Sequence, residues 1–438
     1  MYCNMEKKIK VVWICHLSND LIRSHLAFSN IYYLNILSSL IHKPITRWSD
    51  FAIWNTNAIR EFEQFKDIDL TVIFPYAGIK GRKQKFKVNG VHYIAFRSED
   101  DHLIPFVKER FLELPETNYK KNRALILSLI QEIQPDIVHI IGAENPYYSA
   151  AALDVPNYIP SIISLQTLMS SPDYFMSYPI SCNKYKERTK IEQQIIKKCN
   201  YVASRVEKFK RYIWDNIDPE AVFLQMPLAL GQNIIKREVK KEYDFVYFAA
   251  NIDKACDYAI EAFALACEVH PNLTLNVSGS YSTDYKSKLD YRLKELGLQN
   301  QVYFTGLQAT HEDVLTQINK SKYALLPLKV DLISGTIREA MACGLPVVST
   351  ITPSTPKLNE VRESILLSEN GDFQAMADNM LRLINDEQYA ARIRDNAVLT
   401  MRERYSNERF MQMWRKAYYE ILDNFKKGTG FSDAVISK

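Results

Sequence analysis

The sequence predicts an α/β fold of two Rossmann-like domains facing a cleft, and three observations carry that expectation. The chain has 438 residues, too many for one ordinary core when domains usually hold about 100 to 200. Its strand-like runs are almost continuously apolar and lie far apart, with helical stretches between them, as buried parallel strands joined by crossovers do. The alternation stops once, at 225–242 (QMPLALGQNIIKREVKKE), and then restarts. The linker is placed there, between domains at 1–235 and 243–405, with a helix over 406–438.

In the first half the strand-like runs are KVVWICH (10–16), LTVIFPY (70–76), VHYIAF (91–96), DIVHIIG (136–142) and PSIISLQ (160–166), with another ahead of Arg205. In the second half YDFVYFA (243–249), LTLNVSG (273–279), QVYFTG (301–306), YALLPLKV (323–330) and LPVVST (345–350) alternate with helices near 254–269, 284–296 and 310–320. The first of these carries Ala255, Tyr258, Ala259, Ala262, Phe263 and Ala266, an i, i+3, i+4 stripe that can lie on a sheet. Asp372 is placed to cap a helix with Met376, Met380, Leu383 and Ile384 on one face.

Lys and Arg number 55 against 51 Asp and Glu, too small a surplus to make nucleic acid the expected partner. No apolar run reaches the ~20 residues of a membrane helix. The start, MYCNMEKKIK, runs directly into VVWIC, shorter than a signal-peptide core. The seven cysteines form no Cys-x-x-Cys pair and have no His spacing suited to zinc. Reduced thiols in a cytoplasmic protein, without a metal, are the expectation. The basic run KGRKQKFK (80–87) reads first as a solvated loop; contact with anionic lipid or a phosphate-bearing acceptor is the second reading. DID at 67–69 precedes its apolar strand where a metal-binding Asp-x-Asp should follow one.

The stretch PLKVDLISGTIREAMACGLPVVST (327–350) holds the chemistry. If 323–330 is a strand, Asp331 lies just past its carboxyl end, where ligands bind in such sheets. Ser334, Gly335 and Thr336 then bring backbone N–H groups and a helix N-terminus to the same spot, a site for phosphate. Glu339 follows in the helix, where a carboxylate can accept hydrogen bonds from a diol such as ribose. The bland alternative is an ordinary strand, turn and helix with its acid placed for the helix dipole.

DLISGTIREAMACGLPVV resembles the acid-x7-acid motif of glycosyltransferase family 4, the group 1 type: retaining enzymes of the GT-B fold that use nucleotide-sugar donors. KACDYAIEAFALACEVHPNLTLNVSG, QVYFTGL and DIVHIIGAENP are similar to further stretches of that family. The resemblance implies transfer of a sugar from a nucleotide diphosphate sugar to a glycan or lipid-linked acceptor bound by the first domain, with no metal or other cofactor. It implies that Glu339 binds the ribose and Asp331 the transferred sugar, with His139 near that sugar. It implies that Lys254, Asn251 and the backbone of Ser334, Gly335 and Thr336 hold the diphosphate, that Gly306 and Leu307 border the base, and that the final helix returns to the first domain. His139 reads equally as a hydrogen-bonded core residue, and Lys254 as a solvated residue of a first turn. Three features depart from the family pattern. Asp331 stands for the usual Glu, Ala249, Ala250 and Asn251 occupy the place of a phosphate-binding Arg, and CHLSNDLIRSH lacks the glycine loop. A nucleotide-sugar epimerase and a non-catalytic nucleotide-sugar-binding subunit are the rival readings.

Overall fold

A computed structural model describes residues 8–29, 50–99, 119–172, 182–229, 239–252, 255–329, 335–352 and 354–436. The chain divides into two compact units, one of Met1–Ala229 with Asn407–Lys438, the other of Leu230–Ser406.

The first unit is built on a sheet of β1 (Ile9–Ile14), β2 (Ile68–Pro75), β3 (Lys83–Val88), β4 (Val91–Phe96), β5 (Ile137–Ile141), β6 (Ser161–Ser164), β7 (Tyr201–Ala203) and β8 (Phe223–Leu224). Its strand order is β3-β4-β2-β1-β5-β6-β7-β8. The described pairings are parallel, except that β3 runs antiparallel to β4. Val11, Val12, Trp13 and Ile14 of β1 and all five residues of β5 are buried, as two-sided burial in a parallel sheet requires.

The basic run is corrected by β3: most of it is an edge strand and not a loop. Lys83, Lys85 and Lys87 alternate outward while Gln84, Phe86 and Val88 are half-covered, and Lys85 pairs with Glu132. The period-2 pattern was present, but lysines dominate the composition; lysine on an edge also discourages pairing with another chain.

Helix Asn407–Lys427 belongs to the first unit. It buries Phe410, Met411, Trp414, Ala417, Tyr418 and Ile421, a stripe at helical spacing. Polar groups fix its register. Trp13 Nε1 donates to Tyr418 OH at 2.7 Å, Trp414 Nε1 to Pro227 O at 2.7 Å, and Tyr201 OH to Asn424 Oδ1 at 2.6 Å. Asp67 of the DID stretch accepts from Arg415 Nε at 2.9 Å and from Tyr419 OH at 2.6 Å. Its carboxyl is held below the usual range: burial raises the pKa, and those two partners outweigh it. Arg205 lies over the Phe410 ring, 4.9 Å from its centroid.

The second unit has a parallel sheet of β9 (Tyr243–Asn251), β10 (Leu275–Ser280), β11 (Val302–Gly306), β12 (Ser321–Leu325), β13 (Val347–Thr350) and β14 (Leu366–Ser368), in the order β11-β10-β9-β12-β13-β14. Helices Cys256–Val269, Thr283–Glu295, His311–Asn319 and Gly335–Ala342 alternate with its strands. Asp372 caps helix Phe373–Asn385 by accepting from Ala375 N at 2.9 Å, and Met376, Met380 and Leu383 are buried.

One strand differs from expectation. β12 covers Ser321–Leu325 and ends five residues before 330. Pro327 has no N–H to continue a ladder, and Leu328 N instead donates to the Thr350 hydroxyl at 2.8 Å.

Candidate functional site

In the second unit the carboxyl ends of β9, β10, β11 and β12 lie at one edge of a parallel sheet, where the connecting loops must build any ligand site. Gly279, near the end of β10, has φ +142°, and a Cβ there would stand 2.0 Å from Ala249 O of β9. Only glycine lets the two backbones approach that closely. Gly306 ends β11 at φ +70° with open space where a Cβ would project. Leu307 beside it is 46% exposed, so this pair presents backbone and an apolar side chain to the loop region.

Helix Gly335–Ala342 starts with exposed Gly335 and half-buried Thr336, while Ile337, Ala340, Met341 and Ala342 are buried. Gly335 has open space at its Cβ position. The small residues of IREAMACG let the helix lie against its neighbours, and the end is a left-handed glycine cap. Gly344 has φ +74°, its N–H donates to Met341 O, and Leu345 N–H donates to Ala340 O, both at 3.0 Å.

Glu339 is on this helix with its side chain 14% exposed. His311 Nε2 lies 3.1 Å from Glu339 Oε1. His311 opens helix His311–Asn319, whose start is set by a reciprocal capping box between Thr310 and Asp313. The pair ties the region after β11 to the helix after β12. Sequence reasoning missed His311: the Thr-x-x-Asp box marks a helix start, but nothing in its spacing says which element that start faces.

Five of the expected donor residues are thus described around one sheet edge: Gly306, Leu307, Gly335 and Thr336 at the helix start, and Glu339. Asn251 ends β9 in register with Ser280 of β10; its side chain lies outside the described residues. Lys254, Asp331 and Ser334 also lie outside them. Lys329 Nζ donates to Asp257 Oδ2 at 2.6 Å and lies 4.6 Å from the Tyr258 ring centroid.

His139 is a correction. It belongs to the first unit on β5 and is 2% exposed. Its Nδ1 is 2.8 Å from Tyr418 OH and its Nε2 2.7 Å from Ser164 Oγ, and the Trp414 ring lies 4.4 Å away between centroids. Burial pushes its pKa down to about 3, so the imidazole is neutral. Both ring nitrogens are taken, which fits the core hydrogen-bonding reading of His139 and not the reading that the resemblance implied, beside the sugar. After β1, in place of a glycine loop, Asn19 caps a short helix by accepting from Ile22 N at 2.9 Å, and Ser18 Oγ meets Tyr76 OH at 2.8 Å.

No helix among the described residues is long and apolar enough to cross a membrane. Among them no group of three or more His, Cys, Asp or Glu could hold a metal ion.

Residues 232–399 match the family model "Glycosyl transferases group 1". The chain is 26% identical over 136 residues to N-acetyl-alpha-D-glucosaminyl L-malate synthase of Bacillus anthracis, covering 31% of this chain and 35% of that protein. It is 25% identical over 109 residues to 2-deoxystreptamine N-acetyl-D-glucosaminyltransferase of Niallia circulans, covering 25% and 28%. The match thus spans about a third of those curated relatives. Among solved structures, sucrose-phosphate synthase of Thermosynechococcus elongatus superposes over 94% of this chain and 99% of its own, with TM-score 0.66 and 12% identity. Anabaena Alr3699/HepE in complex with UDP and glucose covers 94% and 99%, with TM-score 0.63 and 15% identity. Residues 232–399 are accordingly of the group 1 glycosyl transferase type, carried on a chain whose two α/β units have the GT-B fold.

Proposed function

We propose that the protein is a retaining glycosyltransferase that moves a sugar from a nucleotide diphosphate sugar to a hydroxyl of a glycan or lipid-linked saccharide. The observation that carries this reading is Glu339, held beside His311 on the helix that follows β12 at the ligand edge of the second sheet. In this reading Glu339 accepts hydrogen bonds from the donor ribose, and the open backbone at Gly306 with Leu307 borders the base. The N–H groups of Gly335 and Thr336 at the helix start, with Ser334, Lys254 and Asn251, hold the diphosphate. Asp331 holds hydroxyls of the transferred sugar. The group 1 match over 232–399 supports the donor half, and the two curated relatives, both named for N-acetylglucosaminyl products or transfer, together with the UDP bound by Anabaena Alr3699/HepE, make UDP-N-acetylglucosamine the first donor to try.

The mechanism needs no nucleophile from the protein. The departing diphosphate takes the proton from the acceptor hydroxyl as that oxygen bonds to the anomeric carbon on the same face. The protein's work is to stabilise charge on the leaving group and to align the acceptor. The enzyme works without a metal, at the cytoplasmic side, on donor and acceptor in polysaccharide or glycoconjugate synthesis. The test is release of UDP from UDP-N-acetylglucosamine in the presence of a saccharide acceptor, with the product's anomeric configuration read by proton NMR. Retention is expected; inversion, or donor binding with no turnover against any acceptor, would oppose the proposal. Ala249, Ala250 and Asn251 in the place of an arginine favour one second reading, a donor-binding subunit without catalysis, and the no-turnover outcome is what it expects.

A further inference from the structure

We infer that Glu144, just beyond β5 in the first unit, reads a hydroxyl of a neutral sugar or polyol, within a polar site that it forms with Gln166 and Tyr148 over the bare α-carbon of Gly142. The inference rests on the transferase reading above and names the chemistry of the acceptor.

Gly142 follows β5 at φ +92°. A Cβ there would stand 2.7 Å from Glu144 Oε1, 2.7 Å from Tyr148 OH and 3.0 Å from Gln166 Nε2. Three polar groups from three positions in the chain therefore pack onto the α-carbon, in space that any side chain at 142 would need. Most of them have partners. Tyr148 OH donates to Ile141 O at 3.0 Å and Gln166 Nε2 donates to the same oxygen at 3.3 Å. Asn145 Nδ2 donates to Glu144 Oε1 at 3.2 Å. Glu144 Oε2 is sealed from solvent and has no hydrogen-bond partner among the described residues.

A carboxyl oxygen withdrawn from water and left unbonded is destabilising, and native structures keep few such groups without a use for them. The location supplies a use. Glu144 and Gln166 follow β5 and β6, and His16 follows β1, so all three stand at the carboxyl ends of parallel neighbours, the ligand end of such a sheet. His16 Nδ1 is 3.1 Å from Tyr147 OH, and its ring lies 6.1 Å from that of Tyr148.

The electrostatics select the ligand. Burial pushes the Glu144 carboxyl up to about 7 and Glu192 adds to that, while the backbone N–H groups of Glu144 and Ala143 and the charge of Arg188 pull it down. Glu192, fully buried, is itself raised to about 7 by burial. A carboxyl in that state both donates and accepts, which matches a hydroxyl, while a charged phosphate or carboxylate would be buried with two carboxyls against the cation Arg188. The ligand group at Glu144 is an uncharged hydroxyl.

Binding of D-glucose, N-acetyl-D-glucosamine and glycerol, each without nucleotide, is to be followed by saturation-transfer NMR on the full chain. Wild type is compared with Glu144→Leu and Glu144→Gln, and glucose 6-phosphate serves as the anionic counterpart. Glu144→Leu is expected to weaken the best probe about tenfold, on the scale of one lost buried hydrogen bond. Its thermal midpoint should be unchanged or higher, because the buried, unbonded Oε2 is gone. Glu144→Gln is expected to retain most affinity, and glucose 6-phosphate to bind more weakly than glucose. Unchanged affinity in Glu144→Leu, preference for the phosphate, or no probe binding to folded wild type overturns the inference. A lower midpoint with unchanged affinity does so too, by assigning Glu144 to structure alone. Nucleotide-sugar binding on the same samples separates the two readings. It should be equal in all three proteins, and its absence from all of them would count against the transferase proposal while leaving the Glu144 comparison readable.

Discussion

His311 Nε2 and Glu339 Oε1 lie 3.1 Å apart, joining the helix after β11 to the helix after β12. A carboxylate that must present one oxygen to a diol is best held by its other oxygen, since a free side chain loses rotamer entropy when it binds. Glu339→Ala should abolish measurable nucleotide-sugar binding. His311→Ala should weaken it about two- to fivefold while leaving the fold intact, as loss of one contact at ion-pair distance does. Calorimetric titration of both variants checks the order; equal loss in both, or none in either, would contradict it.

Gly279 has no room for a side chain, with Ala249 O 2.0 Å from where a Cβ would be. Gly279→Ala should destabilise the second unit by about 2–4 kcal/mol and weaken donor binding, because the carboxyl ends of β9 and β10 must part. Urea denaturation followed by a probe in the second unit measures this. Gly335→Ala, with open space at its Cβ position, is the control expected to change stability by less than about 1 kcal/mol.

Tyr418 accepts from Trp13 Nε1 and meets His139 Nδ1 through one hydroxyl. Tyr418→Phe leaves both partners buried without it, a cost of about 2–3 kcal/mol, read as a lower denaturation midpoint with little change in donor affinity. A change in affinity at unchanged stability would reopen a ligand role for His139.

Two buried groups give opposite pH signatures. His139 is held at about 3, below the ordinary histidine value, so the unfolded chain binds the proton first. Its stabilising contribution is complete above about pH 6.5 and is lost as pH falls towards 3. Glu144 is held at about 7, above the ordinary carboxyl value. The unfolded chain releases that proton first, so Glu144 lowers stability progressively as pH rises from about 4.5 to 7. Denaturation of Glu144→Gln against wild type should show the variant gaining up to about 3 kcal/mol across that window, then a constant gap. A pH-independent gap would mean that Glu144 is ionised throughout.

Much of this was legible in the sequence because its signals are local or periodic. Trp13 and His139 sit in apolar runs long enough to be buried strands, and Asp372 precedes a stripe of Met376, Met380 and Leu383 that defines its helix. The edge strand β3 was hidden by lysines, and β8 and β14 are too short, at Phe223–Leu224 and Leu366–Ser368, to rise above their surroundings. β12 was read too long because Leu326, Leu328 and Val330 continue an apolar run past Pro327, whose missing N–H decides the matter. Side-chain partnerships were the least legible part. His311 meets Glu339 across two crossovers, and Glu144 Oε2 is buried without a hydrogen-bond partner among the described residues; neither follows from spacing along the chain. The same holds for His139, whose neighbours Ser164, Trp414 and Tyr418 come from distant segments.

The central claim is that the second unit binds a nucleotide diphosphate sugar through Glu339. Calorimetric titration of the purified chain with UDP-, GDP- and ADP-sugars, beside Glu339→Ala, tests it most directly. Saturable binding of one nucleotide class by the wild type, and its loss in the variant, is expected. No binding of any of them by the folded wild type, or binding that survives Glu339→Ala unchanged, would contradict it.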